Sequence, residues 1–224
     1  MTTELGYLNQ ESDYFVLDSA LFYNRVTNLI QLANNRAVTV GDLARGLGAQ
    51  DPQTGLFPIF FGGFSNQCQI YDVFGGEVGV RTFPVEGLDV YANYTLNIIK
   101  QDNSGCSEQE VALLQKDERT SVQKINAGAQ VRTKIGFDAS ADFHLVSQQI
   151  WAEQIANVQL QRVEYQPFKL SGYTLLNARV GWRFFENRAD VAAVGFNLLG
   201  IEHREHPFGQ LVGRRVMGLF TYRF

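Results

Sequence analysis

The stretch from Tyr173 to Phe224 constrains the fold most, because apolar residues alternate there with small or polar ones in three successive runs. Side chains of a β-strand point alternately to its two faces, so each run predicts a strand with one apolar face. The predicted apolar faces are, in order, Leu176, Ala178, Val180, Trp182 and Phe184; Ala192, Val194, Phe196 and Leu198; and Val216, Gly218, Phe220, Tyr222 and Phe224. The chain thus ends on an aromatic residue within a strand, whereas soluble domains usually end in frayed polar residues. We therefore expect a closed barrel in a membrane.

Composition narrows the function classes. The chain has 224 residues, and its net charge of -4 gives no reason to expect nucleic acid as a partner. Aromatic residues make up 12% and there are 21 glycines, which favours strands and tight turns. No apolar run of about 18 residues predicts a transmembrane helix, but a barrel strand needs only about ten alternating residues. Met1 to Gly6 does not begin like a signal peptide, which alone indicates the cytoplasm and is also what a fragment would show.

Further alternating runs precede the C-terminal ones. They predict strands over Thr3–Asn9, Tyr14–Leu32, Ile70–Thr82, Leu88–Asn97, Lys124–Thr133 and Phe137–Ser147. Short turns alternate with long loops, of which the longest runs from Ala33 to Gln67, another of roughly twenty residues follows Ser147, and Glu108–Leu114 predicts a helical turn or two. We expect an all-β antiparallel meander of about nine strands over residues 1–224, forming part of a transmembrane β-barrel with short periplasmic turns and long extracellular loops. In the alternative, a soluble sandwich, the apolar faces would form the core.

Several segments together resemble TonB-dependent outer-membrane receptors. The chain end FNLLGIEHREHPFGQLVGRRVMGLFTYRF is similar to the close of such a receptor, as are YTLLNARVGWRF and SALFYNRVTNLIQL earlier in the chain. GGEVGVRTFPVEGLDVYANYTL resembles a strand, a short periplasmic turn and an aromatic-rich return strand of the family. The resemblance covers essentially the whole chain through the order and spacing of these segments.

The resemblance implies that the chain is part of a larger receptor. The family has a barrel of about 22 strands with an N-terminal plug, and imports scarce ligands such as ferric siderophores, cobalamin or glycans with energy supplied through TonB. No signal sequence, TonB box or plug is recognised here, and bacterial single-chain barrels have even strand numbers. We therefore expect the C-terminal barrel part of a receptor in the outer membrane of a Gram-negative bacterium, as a truncated or split product that an upstream plug and barrel chain would complete. A miscount of the strands is the alternative.

The family also implies a role for the terminal aromatics. Phe220, Tyr222 and Phe224 would be the C-terminal signal read by the barrel-assembly machinery. The alternative is a terminal strand packed in a soluble core.

Two other sets of residues are candidates for the extracellular side. In the predicted barrel, Cys68 and Cys106 fall on the extracellular side, where disulfides persist. Two cysteines allow one intrachain bridge, and two free thiols are the alternative. The apolar segment from Leu56 to Phe64 is a candidate ligand-contact loop, or packs against other loops. Its candidate contact residues are Phe57, Phe60, Phe61 and Phe64.

The remaining polar residues predict structure rather than chemistry. His203, Glu205 and His206 match no zinc spacing, and we expect a solvated loop there. Charged residues on the second faces are expected to face the lumen and to pair with one another or with a plug: Glu77, Arg81, Arg132, Asp138, Asp142, Arg179 and Arg183. No phosphate-binding loop or nucleophile elbow is present, so we predict no enzyme and no cofactor. The rival functions are a passive porin-like barrel and a soluble all-β binding module.

Overall fold

The computed structural model describes residues 1–47, 49–53, 55–57, 60–108, 118–157 and 162–224. Within them the chain is almost entirely β, with one short helix, α1 (Val40–Ala44). The strands are β1 (Thr2–Asn9), β2 (Phe15–Val26), β3 (Ile30–Ala37), β4 (Phe60–Asn66), β5 (Ile70–Val85), β6 (Leu88–Asp102), β7 (Gln123–Arg132), β8 (Phe137–Val146), β9 (Gln149–Asn157), β10 (Arg162–Leu170), β11 (Tyr173–Phe184), β12 (Ala189–Phe196) and β13 (Arg215–Tyr222). No helix among the described residues is long and apolar enough to cross a membrane.

Nine of these strands form one antiparallel sheet, in the order β1-β2-β5-β6-β7-β8-β11-β12-β13. Each strand pairs with the one that follows it in this order, so the predicted meander of about nine strands is confirmed. Short turns join the strands at one end of the sheet, which we call the short-turn end. The longer connections lie at the opposite end, the loop end.

The long connections contain structure that the sequence interpretation missed. The strand predicted from Tyr14 to Leu32 ends at Val26 and a new one begins at Ile30, because Asn28 takes a left-handed conformation (φ 56°) that breaks the run. The predicted loop from Ala33 to Gln67 includes α1 and the hairpin β3–β4. The connection after Ser147 holds the hairpin β9–β10. Most of the helical turn predicted at Glu108–Leu114 lies outside the described residues.

The sheet has an exposed apolar face and a more buried polar face. On β6, Asp89 is 9% exposed, whereas the adjacent Val90 is 36% exposed. Across β11, β12 and β13, Trp182 pairs with Val191 and Val191 with Phe220, and these side chains are 51%, 47% and 69% exposed. We call the face with Trp182 and Phe220 the outer face and the opposite one the polar face.

The described residues contain almost no apolar core. Their buried hydrophobic side chains are only Val146, Ala152, Ala189 and Ala192, and no large aromatic is among them. A soluble domain of this length buries most of its large apolar residues, because their transfer from water drives folding. This distribution is the reverse of a soluble sandwich, and it suits a sheet whose outer face contacts lipid.

The predicted facing of β12 is wrong. Pairing with β11 sets Val194 opposite Arg179 and Ala192 opposite Gly181, and directly opposed residues share a face. Ala192, Val194 and Phe196 therefore occupy polar-face positions, while Val191 lies on the outer face. The error arose because β12 carries apolar residues at both parities, so alternation alone does not determine its orientation.

Candidate functional site

The polar face carries side chains that bond across neighbouring strands. Arg81 on β5 binds Asp89 on β6, with its Nε donating to both carboxylate oxygens at 2.8 Å and one Nη also in contact. Gln130 on β7 donates to the same carboxylate at 3.0 Å. This cross-strand group fixes a charge pair on three adjacent strands, in the bidentate geometry that arginine and carboxylate favour.

A second row spans β6, β7 and β8. Tyr91 pairs with Gly128, and Gly128 pairs with Asp142. A Cβ on Gly128 would lie 2.6 Å from the Tyr91 ring, so glycine is what lets the ring lie over β7. The Tyr91 hydroxyl then donates to Asp142 Oδ1 at 2.6 Å, two strands away.

An amide row continues the pattern toward the loop end. Asn126 on β7 donates to Asn93 Oδ1 on β6 at 2.7 Å, and His144 Nδ1 on β8 contacts Asn126 Oδ1. Close side-chain bonds in three successive rows mean that the polar face is an ordered lattice of hydrogen bonds rather than a loose charged surface.

The charges nearest the short-turn end meet at Arg179. This side chain contacts Asp138 on β8 and donates to Asp190 Oδ1 on β12 at 3.1 Å. Arg183 Nε lies 3.8 Å from Asp138 Oδ1. Among the described residues, neither Arg132 nor Glu77 has an oppositely charged group within 4.0 Å. The sequence thus placed these charges on one face, but it missed the partners Asp89, Gln130 and Asp190, which depend on strand register.

Two recesses open on this face. One, of about 940 Å³, lies at the short-turn end and is lined by Arg132, Asp138, Arg179, Arg183 and Asp190, among others. The other, of about 770 Å³, is lined by Glu77, Arg81, Tyr91 and Asp142, among others. Asp89, Gln130 and Ser140 line both, so the two recesses are continuous with each other. Together they can hold water, ions or a polar polypeptide.

The connections at the loop end are linked to one another. A disulfide joins Cys68, just before β5, to Cys106, just after β6, with a Cα–Cα distance of 5.0 Å. Glu118 forms a bridge with Ile150 of β9, and Arg119 donates to the Ala152 carbonyl at 2.7 Å. The connection between β6 and β7 is therefore tied to the connection before it and to the one after it.

Aromatic side chains join the last two loops, a cluster that the sequence did not indicate. Trp151 of β9 meets His206 edge-on with ring centroids 4.8 Å apart, and Phe168 of β10 meets Phe208 at 5.4 Å. The guanidinium of Arg119 lies 5.6 Å from the centre of the Trp151 ring. Since β10 also contacts β3, the loops form one connected group above the sheet.

The final loop is held by residues near its base. Asn197 is 2% exposed, and its side-chain amide donates to the Ile201 carbonyl at 2.8 Å. His203 stacks on Tyr173 with ring centroids 4.0 Å apart, and its Nε2 lies 3.6 Å from Glu205 Oε1. His206 instead packs on Trp151, and no group of three potential metal ligands occurs among the described residues.

The candidate ligand-contact segment is partly described. Phe57 and Phe64 are 64% and 79% exposed. Phe60 and Phe61 belong to β4, but their side chains lie outside the described part of the structure, as do Pro58 and Ile59 as a whole. The described part of this segment lies at the loop end, and its contact with a ligand stays a prediction.

The terminal aromatics lie at the opposite end of the sheet. Phe220 and Tyr222 are on the outer face of β13, and the ring of Tyr222 meets that of Phe224 edge-on at 5.1 Å. Phe184 and Phe185 form a second aromatic pair nearby, with centroids 5.0 Å apart. Aromatic rings at one level of an apolar face are typical of the membrane interface in outer-membrane barrels.

Comparison with solved structures identifies the fold. Over 99% of this chain, the structure matches the ferripyoverdine receptor of the Pseudomonas aeruginosa outer membrane with a TM-score of 0.65 and 13% identity. It matches the ferric-catecholate import receptor Fiu of E. coli K12 with a TM-score of 0.61 and 15% identity over 100% of the chain. The FrpB iron transporter of Neisseria meningitidis matches with a TM-score of 0.63 and 11% identity, also over 100% of this chain.

These neighbours are TonB-dependent outer-membrane receptors, so the resemblance read from the sequence is confirmed at the level of the fold. The chain spans only 26% of the ferripyoverdine receptor, 27% of Fiu and 30% of FrpB. No protein-family model matches the chain, and no curated protein does. The fold is that of a section of receptor barrel wall.

Proposed function

We propose that this chain is the C-terminal wall of a TonB-dependent outer-membrane transporter that imports a scarce ligand. The observation that carries the proposal is the distribution of side chains over the sheet. Its apolar outer face is exposed, and its polar face, whose side chains hydrogen-bond across strands, would line the lumen. A soluble binding module would bury the apolar face, so this distribution argues against that rival. The fold shared with receptor barrels supports the same function.

The orientation follows from the connections. The short-turn end would face the periplasm, and the loop end, with the Cys68–Cys106 disulfide, would face the outside. Phe220, Tyr222 and Phe224 would then present the final strand to the barrel-assembly machinery. An upstream plug and barrel segment would complete the lumen and supply the contact with TonB.

The ligand would be bound by the connected outer loops. Three of the structural neighbours are described as receptors of ferric chelates, and a ferric siderophore is therefore the ligand class we favour over cobalamin or a glycan. Phe57, Phe60, Phe61 and Phe64 would contact it from one side, and Trp151 and Phe208 from another. No residue of the described chain would perform covalent chemistry, so we propose a transporter and not an enzyme.

Membrane fractionation of the natural host tests the localisation, followed by gel electrophoresis with and without boiling. A chain assembled in an outer-membrane barrel fractionates with that membrane and changes its migration on boiling. A chain that is soluble and migrates identically in both samples contradicts the proposal. Growth on a ferric siderophore as the sole iron source, with and without the gene, then tests import.

A further inference from the structure

His203 is buried at the base of the final loop, residues 197–214, and the proposed transport gives it no role. Its side chain is 4% exposed, although the sequence interpretation expected a solvated loop here. The backbones of His203 and Val212 bond to each other in both directions, at 3.4 and 2.9 Å, so His203 joins the two arms of the loop. A titratable group thus lies at the point where the loop closes on itself.

The contacts of the imidazole ring indicate which nitrogen carries the proton in the neutral form. Nδ1 lies 3.2 Å from the Ile201 carbonyl oxygen. Because a carbonyl oxygen only accepts, Nδ1 is the donor and Nε2 carries the lone pair. Nε2 is buried without a hydrogen-bond partner, and Glu205 Oε1 lies 3.6 Å from it. In the neutral ring, a buried lone pair therefore faces a carboxylate.

A proton on Nε2 reverses this interaction. The imidazolium donates from both nitrogens, so the Nε2 hydrogen would meet the Glu205 carboxylate as an opposite charge. A shift of roughly 0.5 Å would bring the two atoms within hydrogen-bond distance. His203 also stacks on Tyr173, with ring centroids 4.0 Å apart, and an aromatic face attracts a cation. Burial opposes the charge, but the neutral ring already leaves Nε2 unsatisfied.

The other ionisable groups around the His203–Glu205 pair come from three strands and from the loop itself. Glu205 interacts electrostatically with Tyr173 of β11 and with His144 of β8, and His144 also does so with Lys124 of β7. In the loop, the ionisable neighbours are Glu202, Arg204, His206 and Arg214. Among the described residues, only Glu205 has a carboxylate oxygen within 4.0 Å of the His203 ring nitrogens. The charge that a proton on His203 meets is therefore that of Glu205.

We propose that His203 and Glu205 form a proton-operated latch, which holds the final loop more firmly at acid than at alkaline pH. When the imidazole is protonated, the ion pair and the stacking on Tyr173 hold the base of the loop. When the proton leaves, the lone pair faces the carboxylate again and this stabilisation is lost as pH rises. Imidazole is the side chain whose charge changes between about pH 5 and 8. The latch concerns the stability of the loop, so it does not depend on any transported ligand.

The latch lies close to the contacts between the final loop and the β9–β10 hairpin. His206 meets Trp151 with ring centroids 4.8 Å apart, and Phe208 meets Phe168 at 5.4 Å. Phe208 and Leu211 are 63% and 53% exposed, so a protease that cuts at apolar residues can reach them once the local backbone opens. Cleavage of this loop therefore reports how firmly the latch holds it.

Limited proteolysis with thermolysin tests the latch on the full chain, in whichever fraction of the host cell it occurs. Cleavage within the final loop is followed by mass spectrometry at about pH 5.5 and about pH 8, which span the titration of imidazole. Each rate is divided by that of H203Q at the same pH, which cancels the pH dependence of the protease. We expect this relative rate to be roughly threefold lower at the acid pH, the size typical of one exposed ion pair. Equal relative rates at both pH values overturn the inference.

Variants of the neighbouring groups assign the effect to the pair. E205Q keeps the shape of the side chain but removes its charge, so the pH dependence should disappear. H144Q and H206Q leave the pair intact and should keep the pH dependence of the wild type. Persistence of the effect in E205Q, or its loss in either histidine control, contradicts a latch made by His203 and Glu205.

The cleavage rate at alkaline pH separates a latch from a merely structural contact. There the amide of E205Q can donate to the lone pair of Nε2, which the carboxylate cannot do, so this variant should be cut no faster than the wild type. If E205Q is cut faster at both pH values, Glu205 supports the loop whatever the protonation state, and the inference fails. Membrane fractionation tests the proposed function by a separate measurement, so either can fail alone.

Discussion

Replacing Val78 by arginine tests whether the outer face contacts lipid. Val78 is 44% exposed and lies on β5 midway between Phe74 and Thr82, four residues from each. At about 3.4 Å per residue and a strand tilt of about 40°, Val78 lies roughly 10 Å along the membrane normal from each of these two outer-face residues. This places it near the middle of an apolar band about 25 Å tall.

The depth of Val78 in the apolar band determines how much stability the arginine variant should lose. An arginine at the midplane of a membrane barrel costs about 2–4 kcal/mol, which lowers the ratio of folded to unfolded chains roughly thirtyfold to several hundredfold. If the face were in water, a substitution at a half-exposed position would change stability by only about 0.5 kcal/mol. The two environments therefore predict clearly different results.

Thr95→Arg is the matched control. Glu77 pairs with Thr95 and Val78 pairs with Tyr94, so Thr95 lies at the depth of Val78 but on the polar face, opposite a carboxylate. Urea unfolding of both variants, each assembled in phospholipid vesicles with the strands that complete its barrel and followed by tryptophan fluorescence, measures the difference. Val78→Arg should be destabilised and Thr95→Arg should not. Equal stability of the two variants would refute the assignment of the outer face.

The other predictions concern the loops, a turn and the terminus. Reducing the Cys68–Cys106 disulfide, which spans a sequence separation of 38, should cost about 3–4 kcal/mol and slow migration on an unboiled gel. Asn197→Ala should cost about 1–3 kcal/mol and expose the final loop to protease, because its amide donors are lost. Gly136→Ala should cost about 1–3 kcal/mol in urea unfolding, since the residue has φ 93° and a methyl group would meet the Arg183 carbonyl. Phe224→Ala should lower the fraction of chain assembled in the outer membrane, measured by fractionation.

The three substitutions each have a control within the chain. Gly218→Ala should be nearly neutral, because a Cβ there meets nothing within 4 Å. Glu202→Gln alters the final loop without touching Asn197 and should leave its protease sensitivity unchanged. Phe208→Ala removes an aromatic of the loop end and should not affect assembly. If the controls change as much as the test variants do, the proposed causes are wrong.

The strands were predictable because their signal is local. On β6, Leu88, Val90 and Ala92 alternate with Asp89 and Tyr91, and the structure separates the two sets as the pattern predicts. The hairpins β3–β4 and β9–β10 were missed because their strands carry polar and apolar residues at both parities, so no alternation marks them.

The site was predictable only in outline. Arg81 and Arg179 could be placed on the polar face from parity, but their partners Asp89 and Asp190 depend on how strands align. Register is a property of two strands, and the sequence of one strand does not contain it. The orientation of β12 shows the same limit, since its facing followed from the pairing of Val194 with Arg179.

The two edges of the nine-stranded sheet restrict what completes the wall. Strands alternate in direction, so β1 and β13, the first and ninth, run the same way. Closing this sheet on itself would pair them in parallel, whereas bacterial single-chain barrels pair their strands antiparallel throughout and have even strand numbers. An odd number of additional strands restores antiparallel pairing at both edges. Because each unpaired backbone group in lipid costs several kcal/mol, an outer face that contacts lipid requires those strands to be present in the assembled barrel, whichever polypeptide supplies them.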